Sequence, residues 1–251
     1  MERDLSSKGM NWHTRYAQQA NWTRALRSYI FERTNLPNAQ RVLEVGCGTG
    51  AILSVLPEGP LIHGLDIDHS ALVLCGWHAP GARRVQGNAL ELPYPDRAFD
   101  IVYSHFLLLW IGDPLKALQE MKRVARSGGY IIAFAEPDYL HRVDMPEELI
   151  PLGKWQTDAL RRQGADPGLG ARLAELFFEA GIEIRETGTI QNTDHEPSLE
   201  EWEIEWKVIE SDLHGRVPDQ ELRRMKALDQ QARQQGRRIL HVPTYFAWGQ
   251  A

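Results

Sequence analysis

The stretch Arg41-Val42-Leu43-Glu44-Val45-Gly46-Cys47-Gly48-Thr49-Gly50 decides how the rest of the chain is interpreted. Its first half is apolar and predicts a short buried strand, which three glycines at alternate positions follow. A helical segment is expected next, over residues 51–56. A strand that turns into a helix through glycines offers backbone amides and a helix N-terminus to a ligand. Dinucleotides and S-adenosylmethionine are the two ligand classes that commonly use such a turn.

The composition is that of a soluble globular chain. It has 251 residues, a net charge of −6, 43% hydrophobic and 25% charged residues. The acidic balance argues against a nucleic-acid partner, and no apolar run approaches the roughly 20 residues that span a bilayer. The two cysteines form neither a disulfide framework nor a zinc pattern, so we expect a cytoplasmic protein. The sequence does not decide between a monomer and a homodimer. His195 stands between two acidic residues, but adjacent residues converge poorly on one ion, and no metal site is predicted.

The first 135 residues alternate strands with helices. Strands are predicted at 61–68, 82–86, 99–104 and 130–135, with helices between them. Asp68 or Ser70 would cap the first of these helices, and Asp113 would start the one after the fourth strand. This alternation predicts a doubly wound, mostly parallel, Rossmann-like α/β sheet. Ligands of such sheets lie beyond the carboxyl ends of the strands, where Asp66, Asn88 and His105 fall.

The second half is less regular. Helices are predicted at 145–164 and 168–180, followed by a strand at 182–190, two further helices up to residue 236 and a last strand at 239–248. The last two strands should pair antiparallel at an edge and complete seven strands. We expect a single domain over 1–251. It would have an N-terminal helical cap at 10–36, a cofactor-binding core at 40–136, and helical substrate-side or lid segments at 137–180 and 191–237.

Three features favour S-adenosylmethionine over a dinucleotide. Glu44 stands two residues before the first glycine, and a carboxylate suits a cationic amino-acid end but opposes a pyrophosphate. Gly50 opens the turn for a ligand without phosphates. After the third strand, Asn88 and Ala89 offer an amide side chain and a backbone amide for an adenine edge.

With these segments assembled, the chain resembles the class I S-adenosylmethionine-dependent methyltransferases, in the branch of the quinone-biosynthesis and small-molecule enzymes. The resemblance covers about residues 40–136, and the matching segments are 42–50, 64–68, 87–93, 99–104 and 120–129. The family commonly has Asp where Asn88 stands, and Asn keeps the hydrogen-bonding group without the charge.

The resemblance implies a role for each matching residue. Gly46, Cys47, Gly48 and Gly50 would contact the methionine part of the cofactor, and Glu44 would position its amine. Asp66 would hold the ribose hydroxyls, and Ile67 would pack on the adenine. Asn88 and Ala89 would bind the adenine edge, Ser104 would present its backbone to the amino group, and Tyr16 would close the methionine end.

Methyl transfer from a sulfonium is an in-line displacement that mainly requires alignment and exclusion of water. A base is needed only for an acceptor that must lose a proton. His105, after the fourth strand, is the first candidate base, or else it packs and supports the cofactor. His141 would line the substrate pocket or lie in a surface loop. Glu136 would contact the substrate or make a structural hydrogen bond.

The sequence therefore predicts an S-adenosylmethionine-dependent methyltransferase of a small, aromatic or lipophilic acceptor. Two alternatives stay open: a nicotinamide-dependent oxidoreductase and a non-catalytic S-adenosylmethionine-binding protein. Neither the acceptor atom nor the acceptor's identity follows from the sequence, because one scaffold serves oxygen, nitrogen and carbon acceptors.

Overall fold

A computed structural model describes residues 12–190 and 197–251. This part does not include residues 10 and 11 of the predicted cap or residues 191–196 of the predicted lid segment. His195 is one of the latter. The cap consists of two helices, α1 (Trp12–Trp22) and α2 (Arg24–Arg33). The prediction of one continuous segment missed the break at Thr23, whose backbone leaves the helical region and whose hydroxyl donates to the Ala20 carbonyl.

One seven-stranded sheet forms the centre of the molecule, as predicted. Its members are β1 (Arg41–Val45), β2 (Leu61–Asp66), β3 (Arg83–Gln86), β4 (Phe99–Ser104), β5 (Ala125–Pro137), β7 (Glu183–Thr189) and β9 (Thr244–Gln250). The order is β3-β2-β1-β4-β5-β9-β7. The first five strands are parallel, and β9 pairs antiparallel with both β5 and β7. The predicted antiparallel edge is thereby confirmed.

Two capped helices cover the sheet where the sequence places them. In α3 (His69–His78), the Asp68 carboxylate accepts hydrogen bonds from two amides of the first turn. In α4 (Pro114–Val124), Asp113 accepts from the third amide and proline fills the first position. The caps satisfy helix-end donors that otherwise have no partner.

The prediction of a helix after the glycine turn is wrong. Residues 51–60 contain only a three-residue 3₁₀ turn, Leu53–Val55, before β2 begins. Pro57, Gly59 and Pro60 follow within a few residues and leave no room for a second helical turn. The glycine turn is therefore not followed by an α-helix N-terminus.

The second half adds four helices and a small ribbon. The helices are α5 (Ile150–Arg162), α6 (Leu173–Glu179), α7 (Leu199–Leu213) and α8 (Asp219–Gln234). The strand predicted at 239–248 is in fact two strands, because Pro243 has no amide hydrogen with which to continue the ladder. Its first part, β8 (Ile239–His241), pairs with β6 (Val143–Met145) in a separate two-stranded ribbon.

Apolar residues fill both faces of the sheet. Val42, Ile101 and Phe134 face α2, whereas Leu43, Val102 and Ile131 face α4 and α6. Because both faces are covered, the central strands β1 and β4 are almost continuously buried. A separate core between α5, α7 and α8 contains Trp202 and Trp206, so these tryptophans of α7 pack inside the protein.

A buried set of charges fixes the helical pair α7–α8 to the rest of the protein. We call it the Arg238 network: Arg142, Asp144, Asp229 and Arg238. Arg238 donates to Asp144 at 2.9 Å and to Asp229 at 2.5 Å, and Arg142 donates to Asp144 at 2.7 Å. Asp229 also accepts the indole N–H groups of both tryptophans of α7. Each of these side chains is less than 9% exposed.

Within the described part of the chain, no helix combines the length and the hydropathy needed to cross a bilayer.

Candidate functional site

The amides of the glycine turn are already hydrogen-bonded within the protein. Gly46 and Cys47 donate to the Leu65 carbonyl at 2.7 and 3.0 Å, and Gly48 donates to the Asp66 carboxylate at 2.7 Å. A pyrophosphate is bound by free amides at a helix N-terminus. These three amides are not free, and no helix N-terminus follows the turn. The expectation of bare amides therefore does not hold for these residues, and the turn is poorly suited to a dinucleotide.

Glycine is required in the turn by conformation and by space. Gly46 and Gly50 have φ values of +75° and +81°, which L-residues with side chains rarely adopt. A Cβ at Gly46 would lie 2.6 Å from a Leu107 methyl carbon, and one at Gly50 would lie 2.8 Å from the Cys75 sulfur. The Cys47 side chain is buried in the same small apolar cluster as Cys75. The turn is thus held by contacts on its inner side.

Asp66 ends β2 beside the turn. One of its carboxylate oxygens accepts from Gly48, and the other accepts from the Asp68 amide at 2.9 Å. Burial raises the pKa of Asp66, and these backbone hydrogen bonds oppose that effect. Each oxygen keeps a second lone pair, so the oriented carboxylate can still accept two ribose hydroxyls.

The residues predicted to hold the adenine surround the carboxyl ends of β2 and β3. Ile67 is 50% exposed and presents apolar surface to solvent. Asn88 accepts the Leu90 amide at 2.9 Å through its side-chain oxygen, which leaves its NH₂ group directed away from that contact. Ala89 is buried. An exposed apolar side chain beside an amide group suits a flat, polar-edged ring.

Two buried polar groups lie at the ends of the central strands without full compensation. Glu44 is 3% exposed and accepts a hydrogen bond from the Tyr103 hydroxyl at 3.1 Å, and it forms no ion pair with any described basic residue. Burial raises the pKa of Glu44 well above its usual range. The hydroxyl of Ser104, fully buried, has no hydrogen-bond partner within residues 12–190 and 197–251. Such groups call for an explanation, and a bound ligand is one.

Tyr16 from α1 covers the turn. A Cβ at Gly48 would lie 3.3 Å from the Tyr16 ring, so ring and glycine are in contact. Next to it, His13 Nδ1 lies 2.9 Å from the Thr49 hydroxyl. The cap predicted from the sequence therefore contacts the glycine turn directly.

His105 is enclosed by the cap. Its Nε2 lies 2.9 Å from the Thr23 hydroxyl oxygen, which also accepts from Arg27. Because the Thr23 proton goes to the Ala20 carbonyl, Nε2 carries the hydrogen in this contact. Burial and the Arg27 charge lower the pKa of His105 to about 3. The imidazole is neutral and structurally bound, and it is a weak proton acceptor near neutral pH.

The other two catalytic candidates have structural partners. Glu136 is 0% exposed, and its carboxylate accepts the amides of Leu107, Leu108 and Leu109 at 2.9–3.1 Å. The structure thus gives Glu136 the hydrogen-bonding role and leaves it no accessible surface for a substrate. The His141 side chain is 74% exposed and bonds to Asp138 at 2.6 Å, so it lies on the outside of the protein.

Comparison with known proteins relates this geometry to a family. A family model described as "Methyltransferase domain" matches residues 43–133. A demethylmenaquinone methyltransferase of Geobacillus kaustophilus is 34% identical over 181 residues, which are 62% of this chain and 76% of that protein.

The chain belongs to the methyltransferase family.

Two further comparisons extend this result. An uncharacterised methyltransferase of Schizosaccharomyces pombe is 34% identical over 156 residues, 56% of this chain, and the match spans about half, 55%, of the relative's length. The crystal structure of a putative methyltransferase from an antibiotic biosynthesis pathway of Anabaena variabilis superimposes with a TM-score of 0.66 at 18% identity, over 91% of this chain and 98% of that one. The superposition on the Anabaena variabilis structure shows that this chain has the Rossmann-like class I fold.

Family and fold together imply S-adenosylmethionine as the cofactor, and the residues present fit it. The uncompensated Glu44 carboxyl suits an ammonium group, and the unpartnered Ser104 hydroxyl suits a nearby polar atom. Asp66 is oriented for hydroxyls. The described residues contain no cluster of three or more metal-ligating side chains.

A further polar group joins α1 to α7. Arg15 forms an ion pair with Glu205 at 2.5 Å, and its guanidinium lies 4.9 Å from the centre of the Trp22 ring. Tyr139, just after β5, is close enough to Arg15 and Glu205 for their charges to act on its hydroxyl. Sequence reasoning missed this group because its members are up to 190 residues apart and share no motif.

Proposed function

We propose that this methyltransferase uses S-adenosylmethionine to methylate a small aromatic or lipophilic molecule. The observation that supports this most strongly is the state of the glycine turn. Its amides are consumed by Leu65 and Asp66, whereas Glu44 is buried without an ion pair to any described basic residue. A ligand with an ammonium group and no phosphate satisfies this arrangement, and a nicotinamide dinucleotide does not.

The cofactor would be held from both ends. Asp66 would accept the ribose hydroxyls, Ile67 and Asn88 would contact the adenine, and Glu44 would face the ammonium group. Tyr16 would close the methionine end, since it already covers Gly48. When bound, S-adenosylmethionine supplies a methyl group on a good leaving group, and the protein's contribution is alignment and exclusion of water.

The acceptor is proposed from the surroundings of the site and from the relatives. Phe106 and Tyr139 follow the carboxyl ends of β4 and β5, and the Trp22 ring of α1 lies edge-on to Phe106, with 6.4 Å between the ring centroids. Aromatic walls of this kind suit a flat apolar ring. Several relatives are named demethylmenaquinone methyltransferases, which favours a quinol-like acceptor.

We further propose that none of the three candidate residues acts as a general base. His105 is neutral with a pKa of about 3, Glu136 is consumed by three amides, and His141 lies outside. An acceptor that reaches the site already deprotonated would require no such residue, because it has no proton to lose there.

Calorimetric titration with S-adenosylhomocysteine and, separately, with NADH tests the cofactor assignment. We expect binding of the first only. Asp66→Asn should weaken it about tenfold or more, because a hydrogen bond to a charged acceptor contributes roughly 1.5–3 kcal/mol. Asp158→Asn, on the exposed face of α5, is the matched control. Binding of NADH without S-adenosylhomocysteine would establish the oxidoreductase alternative instead.

Methyl transfer is tested with methyl-labelled S-adenosylmethionine and a panel of hydroquinones, catechols, amines and phospholipid vesicles. Transfer to the hydroquinones or catechols is the expected result. Tight cofactor binding with no transfer to any acceptor class would favour a non-catalytic cofactor-binding protein, and transfer to amines alone would refute the proposed acceptor.

A further inference from the structure

A second cleft lies between the N-terminal cap and the segment after the glycine turn. Its volume is about 680 Å³, within the range of small-molecule sites. Its walls come from α1, α2, residues 35–37 and residues 51–57. Neither Asp66, Asn88 nor Ser104 lines it, so it is separate from the proposed cofactor site.

The cleft exists because the connection formed by residues 51–60 is too short to contain a full helix. In a fully developed strand–helix–strand unit, a helix would follow the glycine turn and pack on the sheet beside the cap. Here the single turn Leu53–Val55 leaves part of that face uncovered by its own unit. The floor is apolar and includes Phe31, Leu36 and Leu56, while Val55 at the rim is 65% exposed.

A buried cation faces the cleft. Arg27 is 6% exposed, and its hydrogen bonds to the Ala20 carbonyl and the Thr23 hydroxyl all use Nη1. Its Nε and Nη2 groups have no hydrogen-bond partner within the described residues and are open to the cleft rather than sealed in the core, and Arg27 forms no ion pair with any described carboxylate. Tyr103 and Glu44 act on the Arg27 charge through space, without an ion pair to it. Buried charges are normally paired, so Arg27 lacks an anion.

The charges of the cleft are separated along α2. Arg24 and Arg27 stand on the first turn, and Glu32 lies about 12 Å from Arg24 and about 7.5 Å from Arg27 along the axis, at 1.5 Å per residue. Arg24 bonds to Asn21 at 2.7 Å and to no carboxylate within residues 12–190 and 197–251. One end of the cleft is therefore cationic, and the apolar floor extends from it toward the acidic end.

We propose that this cleft binds an amphipathic organic anion, with its charged group between Arg24 and Arg27 and its apolar body over Phe31 and Leu36. Carboxylates and phosphate monoesters with alkyl chains share this chemistry. Guanidinium groups recognise both through two parallel N–H donors. His13, which lines the cleft and contacts Thr49 of the glycine turn, connects the two sites.

Calorimetric titrations with decanoate, decyl phosphate, decan-1-ol and decyltrimethylammonium test the proposal on the full chain. We expect both anions to bind at one site per chain, and the alcohol and the cation to bind at least about tenfold more weakly. The relative affinity of the two anions distinguishes a carboxylate from a phosphate ligand. Equal binding of decan-1-ol would overturn the proposal, because it would show an apolar groove without anion recognition.

Three variants locate the site. Arg24→Gln, on an exposed side chain, should weaken anion binding about tenfold, and Ser54→Trp should block the cleft from its rim. The control Glu32→Gln changes charge at the other end and should leave anion binding equal or tighter. Unchanged binding in both Arg24→Gln and Ser54→Trp would refute the assignment, as would competitive displacement of decanoate by S-adenosylhomocysteine. The titrations need no cofactor, so they stand apart from the proposed methyl transfer.

Discussion

Acid sensitivity of folding should originate in large part at His105. Its ring is held neutral under the cap, where Nε2–H donates to Thr23 and Arg27 stands nearby. Substitution by Gln keeps an N–H donor for Thr23 but removes the titratable group. We therefore expect His105→Gln to lose part of the acid destabilisation that the unsubstituted protein shows.

The size of the effect follows from the pKa of His105, about 3 in the folded protein against 6.5 for a free imidazole. Above pH 6.5 both states are neutral and the group contributes no pH dependence. Below it the unfolded chain takes up a proton that the folded protein refuses, so stability falls as the pH falls. At about pH 5 the difference amounts to roughly 2 kcal/mol, at about 1.4 kcal/mol per pH unit.

Urea unfolding, followed by tryptophan fluorescence at about pH 7.5 and about pH 5, measures the stability lost between the two pH values. Other buried groups with shifted pKa values, such as His63 and Glu136, are present in both proteins and cancel in the comparison. His241→Gln, which removes an exposed imidazole from β8, shows what the loss of any histidine does to the pH dependence.

The reasoning fails if His105→Gln and the unsubstituted protein lose the same stability between the two pH values, within about 0.5 kcal/mol. It also fails if the variant becomes more acid-sensitive. A uniform loss at both pH values would indicate only that Gln packs less well under the cap.

Three other substitutions test separate parts of the structure. Glu136→Gln should lower the free energy of unfolding by about 1–3 kcal/mol in urea titrations, because its NH₂ must face an amide such as that of Leu109; unchanged stability would mean that these hydrogen bonds contribute little. Gly50→Ala should weaken S-adenosylhomocysteine binding and cost about 1–3 kcal/mol of stability, since its φ is positive and its Cβ would collide with Cys75; an unaltered melting temperature and affinity would contradict this. Asp229→Ala should cost about 3–5 kcal/mol by leaving a buried guanidinium and two indoles short of an acceptor, and equal urea midpoints would show that the network is not needed for stability.

Most of the fold could be predicted from local signals in the sequence. The caps Asp68 and Asp113 and the apolar runs of the strands were predictable because each depends on a few adjacent residues. The antiparallel edge joins strands distant in sequence and was expected from the order of the elements along the chain. Two elements were predicted wrongly, and for opposite reasons. Between Gly50 and β2 the apolar pattern suggested a helix where prolines allow one turn, and at Pro243 one continuous apolar run concealed two strands.

The site was predictable as a set of positions but not as a set of contacts. The carboxyl ends of parallel strands bring Glu44, Asp66 and Asn88 to one edge, and topology alone implies that. Which groups are already satisfied depends on atoms distant in sequence. Glu136 meets amides about 28 residues earlier, and His105 meets a hydroxyl 82 residues earlier. Burial and partners of this kind decide whether a polar residue is reactive, and no spacing reveals them.

The Arg238 network makes the attachment of the α7–α8 pair uneven. At β6 the pair is held by four buried charges, and separating it there would expose all four to solvent. At α1 it is held by the Arg15–Glu205 ion pair and by a hydrogen bond from the Gln18 amide to the Glu201 carbonyl. Because separation at α1 exposes fewer buried charges, we expect any displacement of the pair to begin on that side.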